Sequence, residues 1–239
     1  MAASDRTIAF LLYPGLTLLD LVGPFEPIAH VASTHPDIQP VVVGERIEPM
    51  DTDAGVQMIP DKTFAEVSTP YALIVPGGAE PTLRAMTDPA IRAYVRTAAA
   101  TADVVGSICS GALILAAVGL LEGRPATTHW AVSSMLERLG AHYQRKRWVE
   151  DGKFIMSAGV SAGIDMGLHL AARLTDEATA REAQLSLDYD PAPPFGKLNY
   201  DDKGLQLRIM RTAAVLTAGL RTRRPKHLTL EEKAATVTL

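Results

Sequence analysis

The sequence predicts an α/β fold, with one mostly parallel sheet and helices on both of its faces. Short apolar runs rich in β-branched residues alternate with longer helix-like segments, which is the pattern of β-α-β units. The 239 residues, of which 47% are hydrophobic and 21% charged, are enough to build one sizeable core. No internal repeat or low-complexity block divides the chain. We therefore expect a single domain over residues 1–239, with its core at about 7–220 and a polar C-terminal tail at 221–239.

The first part of the chain supplies three buried strands and two helices. The strands are predicted from continuous apolar runs, which lie at residues 7–12, 39–44 and 71–76. A helix-like segment runs from residue 17 to about residue 30, and the polar, alternating residues 45–60 predict a β-hairpin. Asp88 followed by Pro89 is typical of a helix start, and this second helix should run to about residue 102.

The only cysteine of the chain lies where a strand passes into a helix. Residues 104–108 form a buried-strand run, residues 112–117 are helix-like, and residues 107–111 have the pattern small–x–Cys–x–small. Small residues fit a tight strand-to-helix turn, which would lift Cys109 to the carboxyl end of the sheet. The free N–H groups and the dipole of the following helix would favour a thiolate there. A lone cysteine is more often a buried structural residue, but this turn favours a nucleophile.

The second part of the chain continues the alternation. Residues 126–130 lead into a predicted helix that ends at Leu139, and residues 146–157 predict a β-hairpin that turns at 150–153. Small residues at 158–165 open a long helix to about residue 173, and they would let its start pack against the cysteine turn. The last predicted segments are a helix at 176–187, an extended proline-rich stretch at 190–196 that would line a pocket or a dimer contact, and a final helix at 202–220.

Candidate functional residues collect at the carboxyl ends of the predicted strands, where ligands bind in open α/β sheets. They share a position directly after a strand, and they are Asp20, Gly77, Gly78 and Cys109. Because its neighbours are leucine and valine, Asp20 is either a helix-start carboxylate satisfied by backbone N–H groups or a catalytic residue facing a pocket. The glycine pair is either a plain tight turn or a nest of N–H groups for an anion or a developing oxyanion.

A histidine near the start of a predicted helix also allows two roles. His129 could take the thiol proton as the base of a Cys–His pair. Alternatively, Thr127 or Thr128 holds the imidazole at the helix start, and the residues favour this second role.

Composition argues against several classes of protein. A formal net charge of −4 gives no general attraction to nucleic acid. A single cysteine excludes an intrachain disulfide and a cysteine-cluster metal site, and it fits a reducing compartment. Residues 1–6 lack the apolar core of a signal peptide, and no window approaches the roughly 18 uninterrupted apolar residues of a membrane span. We therefore expect a cytoplasmic protein with no nucleic-acid or membrane partner.

Several motifs together resemble the ThiJ/PfpI superfamily. They are PGG at 76–78, SICSG at 107–111, GRPATTHW at 123–130 and AGVSAGID at 158–165. Two more, LLDLVGP at 18–24 and DPAPPF at 190–195, are similar to the isonitrile hydratase branch of that superfamily. The resemblance covers roughly residues 7–195, and it implies a flavodoxin-like sandwich of the class I glutamine amidotransferase type that forms a homodimer. It also implies that an isonitrile, R–N≡C, is hydrated to an N-substituted formamide with water and without a cofactor or metal.

The resemblance assigns roles to particular residues. Cys109 would be the nucleophile that attacks the isonitrile carbon to give a thioimidate, and Asp20 would be the acid and base, which suits a carboxyl whose pKa is raised in a partly apolar pocket. Contacts to the substrate or to an oxyanion would come from Gly77, Gly78 and Ser110. Supporting positions would be Thr128, His129 and Val160.

The residue after the cysteine separates the alternatives. Ser110 stands where protease-like members carry histidine, which argues against a Cys–His–acid peptidase, and many hydratase relatives carry threonine there, so serine is a mild departure. AraC-type regulators share residues 127–130, so a ligand-sensing domain is one alternative, although only the residues after Asp202 stand in place of their helix-turn-helix region. A thiol-based stress protein or glyoxalase-like enzyme is another, although such relatives usually carry glutamate where Asp20 stands.

Overall fold

Strands predicted from buried apolar runs meet in one central sheet. The computed structural model describes residues 6–202 and 204. Its strands are β1 (Arg6–Leu11), β2 (Ile38–Gly44), β3 (Met50–Asp51), β4 (Gln57–Met58), β5 (Lys62–Thr63), β6 (Ala72–Val75), β7 (Val104–Ile108), β8 (Pro125–Ala126), β9 (His142–Tyr143), β10 (Trp148–Asp151) and β11 (Phe154–Ser157). Its helices are α1 (Leu18–Ala32), α2 (Glu80–Ala85), α3 (Pro89–Thr101), α4 (Gly111–Ala117), α5 (Ser133–Arg138), α6 (Ala162–Leu174) and α7 (Glu177–Ser186).

The central sheet has the strand order β10-β11-β7-β6-β1-β2-β5. Every neighbouring pair in it is parallel except β10 and β11, which form the predicted hairpin. All four residues of β6 have no exposed surface, which accounts for its continuous apolar sequence. The predicted α/β class with a mostly parallel, flavodoxin-like sheet is confirmed.

The register of the three central strands brings their carboxyl ends to one edge. Phe10 of β1 lies opposite Ile74 of β6, and Ile74 lies opposite Gly106 of β7. The segments that follow these strands carry Asp20, the glycine pair at 77–78 and Cys109, respectively. The topology therefore gathers the residues that the sequence singled out.

Helix α6 packs closely against both α1 and the end of β7 through two glycines. A Cβ on Gly163 would lie 3.2 Å from Pro24 Cδ and 3.3 Å from Ile108 Cγ2. A Cβ on Gly167 would lie only 2.8 Å from Pro24 Cα, a distance that a larger residue could not keep. The small residues at this helix start do pack against the cysteine turn, as the sequence predicts.

The predicted hairpin within residues 45–60 is present, with β3 and β4 paired antiparallel. It holds the segment that leads into α1 by three hydrogen bonds. Gly15 N donates to Asp51 O at 2.7 Å, and Asp53 N donates to Leu16 O at 3.0 Å. Leu18 N, in the first turn of α1, donates to Asp53 Oδ1 at 3.0 Å. The hairpin thus fixes the N-terminus of α1, two residues before Asp20.

Most of the elements that the sequence did not predict are very short. Strands β5, β8 and β9 have two residues each, and α2 has six. The helix expected to follow residues 126–130 and to end at Leu139 is divided into a 3₁₀ helix, Trp130–Val132, and α5. His129 caps that 3₁₀ helix, since its Nδ1 accepts the Ala131 N–H at 3.3 Å.

The chain divides into two units, Met1–Pro194 and Phe195–Leu239. The sheet and the seven helices named above belong to the first unit. The final helix expected at 202–220 lies almost entirely outside the described residues, and so does the whole tail at 221–239, so the single-domain organisation stays a prediction. Within residues 6–202, no helix has the length and hydropathy needed to cross a bilayer.

Candidate active site

The backbone at Cys109 has the strained geometry of a nucleophile turn. Its φ is +54°, in the left-handed region that non-glycine residues seldom adopt. The turn is held from both sides, because Cys109 N donates to Ser157 O at 3.2 Å and Thr128 Oγ1 donates to Cys109 O at 2.8 Å. A Cβ on Gly111 would lie 2.1 Å from Val75 O, so only glycine allows α4 to start this close to β6.

Asp20 is completely buried in the first turn of α1. Its Oδ2 accepts the Gly77 N–H at 3.0 Å, whereas Oδ1 accepts no well-aligned hydrogen bond from the described residues. Burial raises the pKa of Asp20 to about 7, and the negative charge of Asp53 adds to that shift. One carboxyl oxygen of Asp20 therefore accepts a backbone N–H, and the other is available to exchange a proton.

The Asp20 carboxyl and the Cys109 thiol lie side by side and act on each other. The Cys109 thiol opposes the rise in the pKa of Asp20, and the Asp20 carboxylate adds to the rise in the pKa of Cys109. The Cys109 side chain is only 7% exposed, and burial, followed by the nearby carboxylate, raises the pKa of its thiol well above 9. The N–H and hydroxyl of Ser110 oppose that shift. The free N–H groups at this helix start, which favour a thiolate, are therefore opposed by burial and by the Asp20 carboxylate.

The glycine pair packs too tightly for side chains, and its N–H groups already have partners. A Cβ on Gly77 would lie 2.6 Å from Ser110 N and 2.9 Å from Asp20 Oδ2. The Gly77 N–H is used by Asp20, and Gly78 N donates to Ser110 Oγ at 3.1 Å. The pair therefore positions Asp20 and Ser110 in this structure, and it does not present the free oxyanion nest that the sequence allowed.

Ser110 connects the site to two residues that sequence reasoning did not identify. Its Oγ lies 2.8 Å from Thr82 Oγ1, which in turn lies 3.2 Å from the Tyr13 hydroxyl. Tyr13 follows the first strand, so its position at the carboxyl edge was a signal that could have been used. Thr82 lies on α2, a helix too short to predict, so no local signal marked it.

The three residues expected to support the site, Thr128, His129 and Val160, differ in what their side chains contact. Thr128 holds the carbonyl of Cys109, as described above. His129 is held by neither threonine, because Thr127 Oγ1 donates to Lys146 O and the imidazole instead caps the 3₁₀ helix. Burial lowers the pKa of His129, and the groups that act on the thiol are Asp20 and Ser110, so the geometry does not favour a Cys–His pair. Val160 is partly buried against the core just before α6.

The arrangement places a cysteine thiol and a carboxyl of raised pKa together in a buried environment. Asp20 can accept the thiol proton and deliver it to another atom close by, because its pKa of about 7 lies close to neutral pH. Across residues 6–202, no group of three or more His, Cys, Asp or Glu side chains is placed to hold a metal ion. The chemistry that these residues can perform by themselves is covalent attack with proton transfer.

Comparison with known proteins agrees with these features. The DJ-1/PfpI family model matches residues 6–173. An isonitrile hydratase from Pseudomonas putida is 41% identical over 188 residues, which are 79% of this chain and 80% of that protein. The HTH-type transcriptional regulator CdhR from Pseudomonas aeruginosa is 33% identical over 167 residues, and the match spans 69% of this chain and about half, 49%, of the regulator. The crystal structure of a ThiJ/PfpI family protein from Pseudomonas syringae superposes with a TM-score of 0.80 at 36% identity, covering 90% of this chain and 88% of that one.

Proposed function

The chain belongs to the DJ-1/PfpI family, and from this premise we propose that it is a hydratase that converts isonitriles to N-substituted formamides. The observation that carries the proposal is the buried contact between Asp20 and Cys109 at the strand-to-helix turn. The 41% identity to an isonitrile hydratase over four fifths of that protein supports the same activity. The reaction uses water and these two side chains, with no cofactor.

In the first step the thiol adds across the isonitrile carbon. The Asp20 carboxylate takes the proton of Cys109 and delivers it to that carbon as the sulfur bonds to it. The carbon gains one C–H bond and one C–S bond, and the product is a thioimidate, R–N=CH–S–Cys109. Because burial disfavours a standing thiolate, proton removal and sulfur attack occur together.

In the second step water releases the product. Asp20, again a carboxylate, takes a proton from water as the hydroxyl bonds to the thioimidate carbon, and the nitrogen receives that proton. The C–S bond then breaks and the hydroxyl proton passes to the sulfur, which leaves R–NH–CHO and the original thiol. The sum of the two steps is one isonitrile plus one water to one formamide.

Activity is tested with the purified chain and cyclohexyl isonitrile, following formamide absorbance. We expect turnover, none with Cys109→Ala, and about 10²- to 10⁴-fold less with Asp20→Asn. The matched control is Asp103→Asn, because Asp103 is an exposed carboxylate directly before β7, at the opposite end of the strand from Cys109. Normal turnover by Cys109→Ala would contradict the proposal.

The homologous regulator supports a second candidate, a ligand-sensing domain. That candidate predicts that an isonitrile or another small molecule binds without being consumed. Turnover of methylglyoxal in place of isonitriles would instead favour the glyoxalase-like alternative.

The proposal also includes a homodimer in the cytoplasm, with the proline-rich stretch at 190–196 as a pocket or dimer contact. Light scattering coupled to size exclusion measures the oligomeric state directly. A monomer at micromolar concentration would contradict the dimer without bearing on the chemistry.

A further inference from the structure

Two adjacent threonines, between β8 and the 3₁₀ helix, each hold a backbone carbonyl of a different segment. Both Thr127 and Thr128 are completely buried. Thr127 Oγ1 donates to Lys146 O at 3.1 Å, whereas Thr128 Oγ1 donates to Cys109 O at 2.8 Å. The two residues therefore share their chemistry and their burial, and they differ in whether the carbonyl that they hold belongs to the site.

The hydrogen bond from Thr128 completes the restraint on the backbone of Cys109. The N–H of Cys109 is held by Ser157 O at 3.2 Å, and its carbonyl is held by Thr128. Because the peptide groups on both sides of Cys109 are held, its two backbone dihedral angles are set, and so is the direction in which its side chain leaves the backbone. A φ of +54° is unfavourable for a residue with a Cβ, so it persists only while such contacts maintain it.

The peptide group that Thr128 holds also carries the Ser110 N–H. A trans peptide directs its N–H opposite to its carbonyl, so this N–H points away from Thr128. The Ser110 nitrogen packs on Gly77, because a Cβ on that glycine would lie 2.6 Å from it, and the Gly77 N–H in turn donates to Asp20 Oδ2. On this side of the turn, the Ser110 N–H lowers the pKa of the Cys109 thiol against the effect of burial.

We propose that Thr128 is a positioning residue, whose hydroxyl holds the Cys109–Ser110 peptide so that the sulfur and the Ser110 N–H both stay on the side of Asp20. Without that hydroxyl the buried Cys109 carbonyl loses its donor, and the peptide rotates toward another one. This rotation moves the Ser110 N–H and the sulfur out of place, which slows attack and proton transfer together. The inference rests on the proposed function, because it bears on turnover only if Cys109 is the nucleophile.

The test compares Thr128→Val with Thr127→Val in the full chain. Valine keeps the shape of threonine without the hydroxyl, and each variant leaves one carbonyl without its donor, so both should lower Tm by a similar amount. Turnover of cyclohexyl isonitrile should separate the two variants. We expect kcat to fall about 10²-fold with KM little changed in Thr128→Val, and both constants to stay at their original values in Thr127→Val.

Alkylation of the single cysteine by iodoacetamide gives a readout that needs no turnover. At pH 8 we expect it to slow about tenfold in Thr128→Val, because the Ser110 N–H no longer favours the thiolate, and to keep its rate in Thr127→Val. Thr128→Ser should restore the rate and Thr128→Ala should not, and this pair decides if Thr128→Val does not fold.

Two results would overturn the proposal. They are an unchanged or faster alkylation in Thr128→Val, which is what a merely loosened turn predicts, and an equal loss of rate in the two valine variants. Because alkylation does not depend on hydration, a wild-type protein that turns over no isonitrile would contradict the proposed function and leave the alkylation result standing.

Discussion

Gly77→Ala is the sharpest single-atom perturbation of the site. The added Cβ would lie 2.6 Å from both Ser110 N and Ser110 Oγ and 2.9 Å from Asp20 Oδ2. Restoring an ordinary contact of about 3.4 Å displaces Ser110 by about 0.8 Å and the Asp20 carboxyl by about 0.5 Å. Misplacement on this scale costs about 10²-fold in rate, and overpacking costs about 1–3 kcal/mol of unfolding free energy.

The assay combines kcat/KM for cyclohexyl isonitrile with a thermal melt. We expect kcat/KM to fall about 10²-fold and Tm to fall by about 2–4 °C for each kcal/mol lost. Gly159→Ala is the matched control, because a Cβ there meets nothing within 4 Å and should leave both quantities unchanged. A Gly77→Ala variant with normal Tm and normal kcat/KM would refute the idea that close packing at this glycine positions Asp20.

Two further predictions concern protons. Because the pKa of Asp20 is raised to about 7 and that of Cys109 well above 9, kcat/KM should rise through pH 7 and then hold to about pH 9. Asp53→Asn keeps the oxygen that accepts the Leu18 N–H but removes the charge, so the rise should move to lower pH, and an unmoved profile would contradict the role of that charge. A carboxyl with a raised folded-state pKa stabilises the fold fully only below its unfolded value, so the unfolding free energy should fall between about pH 4 and pH 7, by at most about 4 kcal/mol. Urea denaturation should show that Asp20→Asn loses this slope and is the more stable protein at pH 8, whereas parallel curves would argue against a buried, raised carboxyl.

Local sequence patterns were sufficient for the architecture and for the position of Cys109 at a strand-to-helix turn. The apolar runs that became β1, β6 and β7 are buried on both faces of the sheet, so their composition reports their location directly. Small residues around Cys109 predict the turn because only they fit where Gly111 nearly touches the Val75 carbonyl. Asp20 was identifiable because a carboxyl among leucines requires a partner.

The electrostatics and the hydrogen-bond network could not be predicted, because they depend on contacts between distant parts of the chain. A helix start alone suggests a thiolate at Cys109, but its burial and the neighbouring Asp20 carboxylate reverse the sign of the pKa shift. The hydroxyl groups of Tyr13, Thr82 and Ser110 and the carbonyl of Pro76 form one hydrogen-bonded series, and only the sheet topology brings these residues together. Whether an N–H group such as that of Gly78 is free or occupied likewise depends on a partner 32 positions away.

The hairpin formed by β3 and β4 has a consequence for how the pKa of Asp20 could differ between related sequences. Asp51 and Asp53 of this hairpin hydrogen-bond to the segment that enters α1. Lengthening or shortening the hairpin loop would therefore shift the position and the pKa of Asp20 without replacing that residue. Surface loops ordinarily tolerate insertions because their backbone is exposed and makes few hydrogen bonds to the rest of the protein. Here the loop helps to position Asp20, so libraries that vary its length would sample different pKa values of that carboxyl while leaving Cys109 and its turn unaltered.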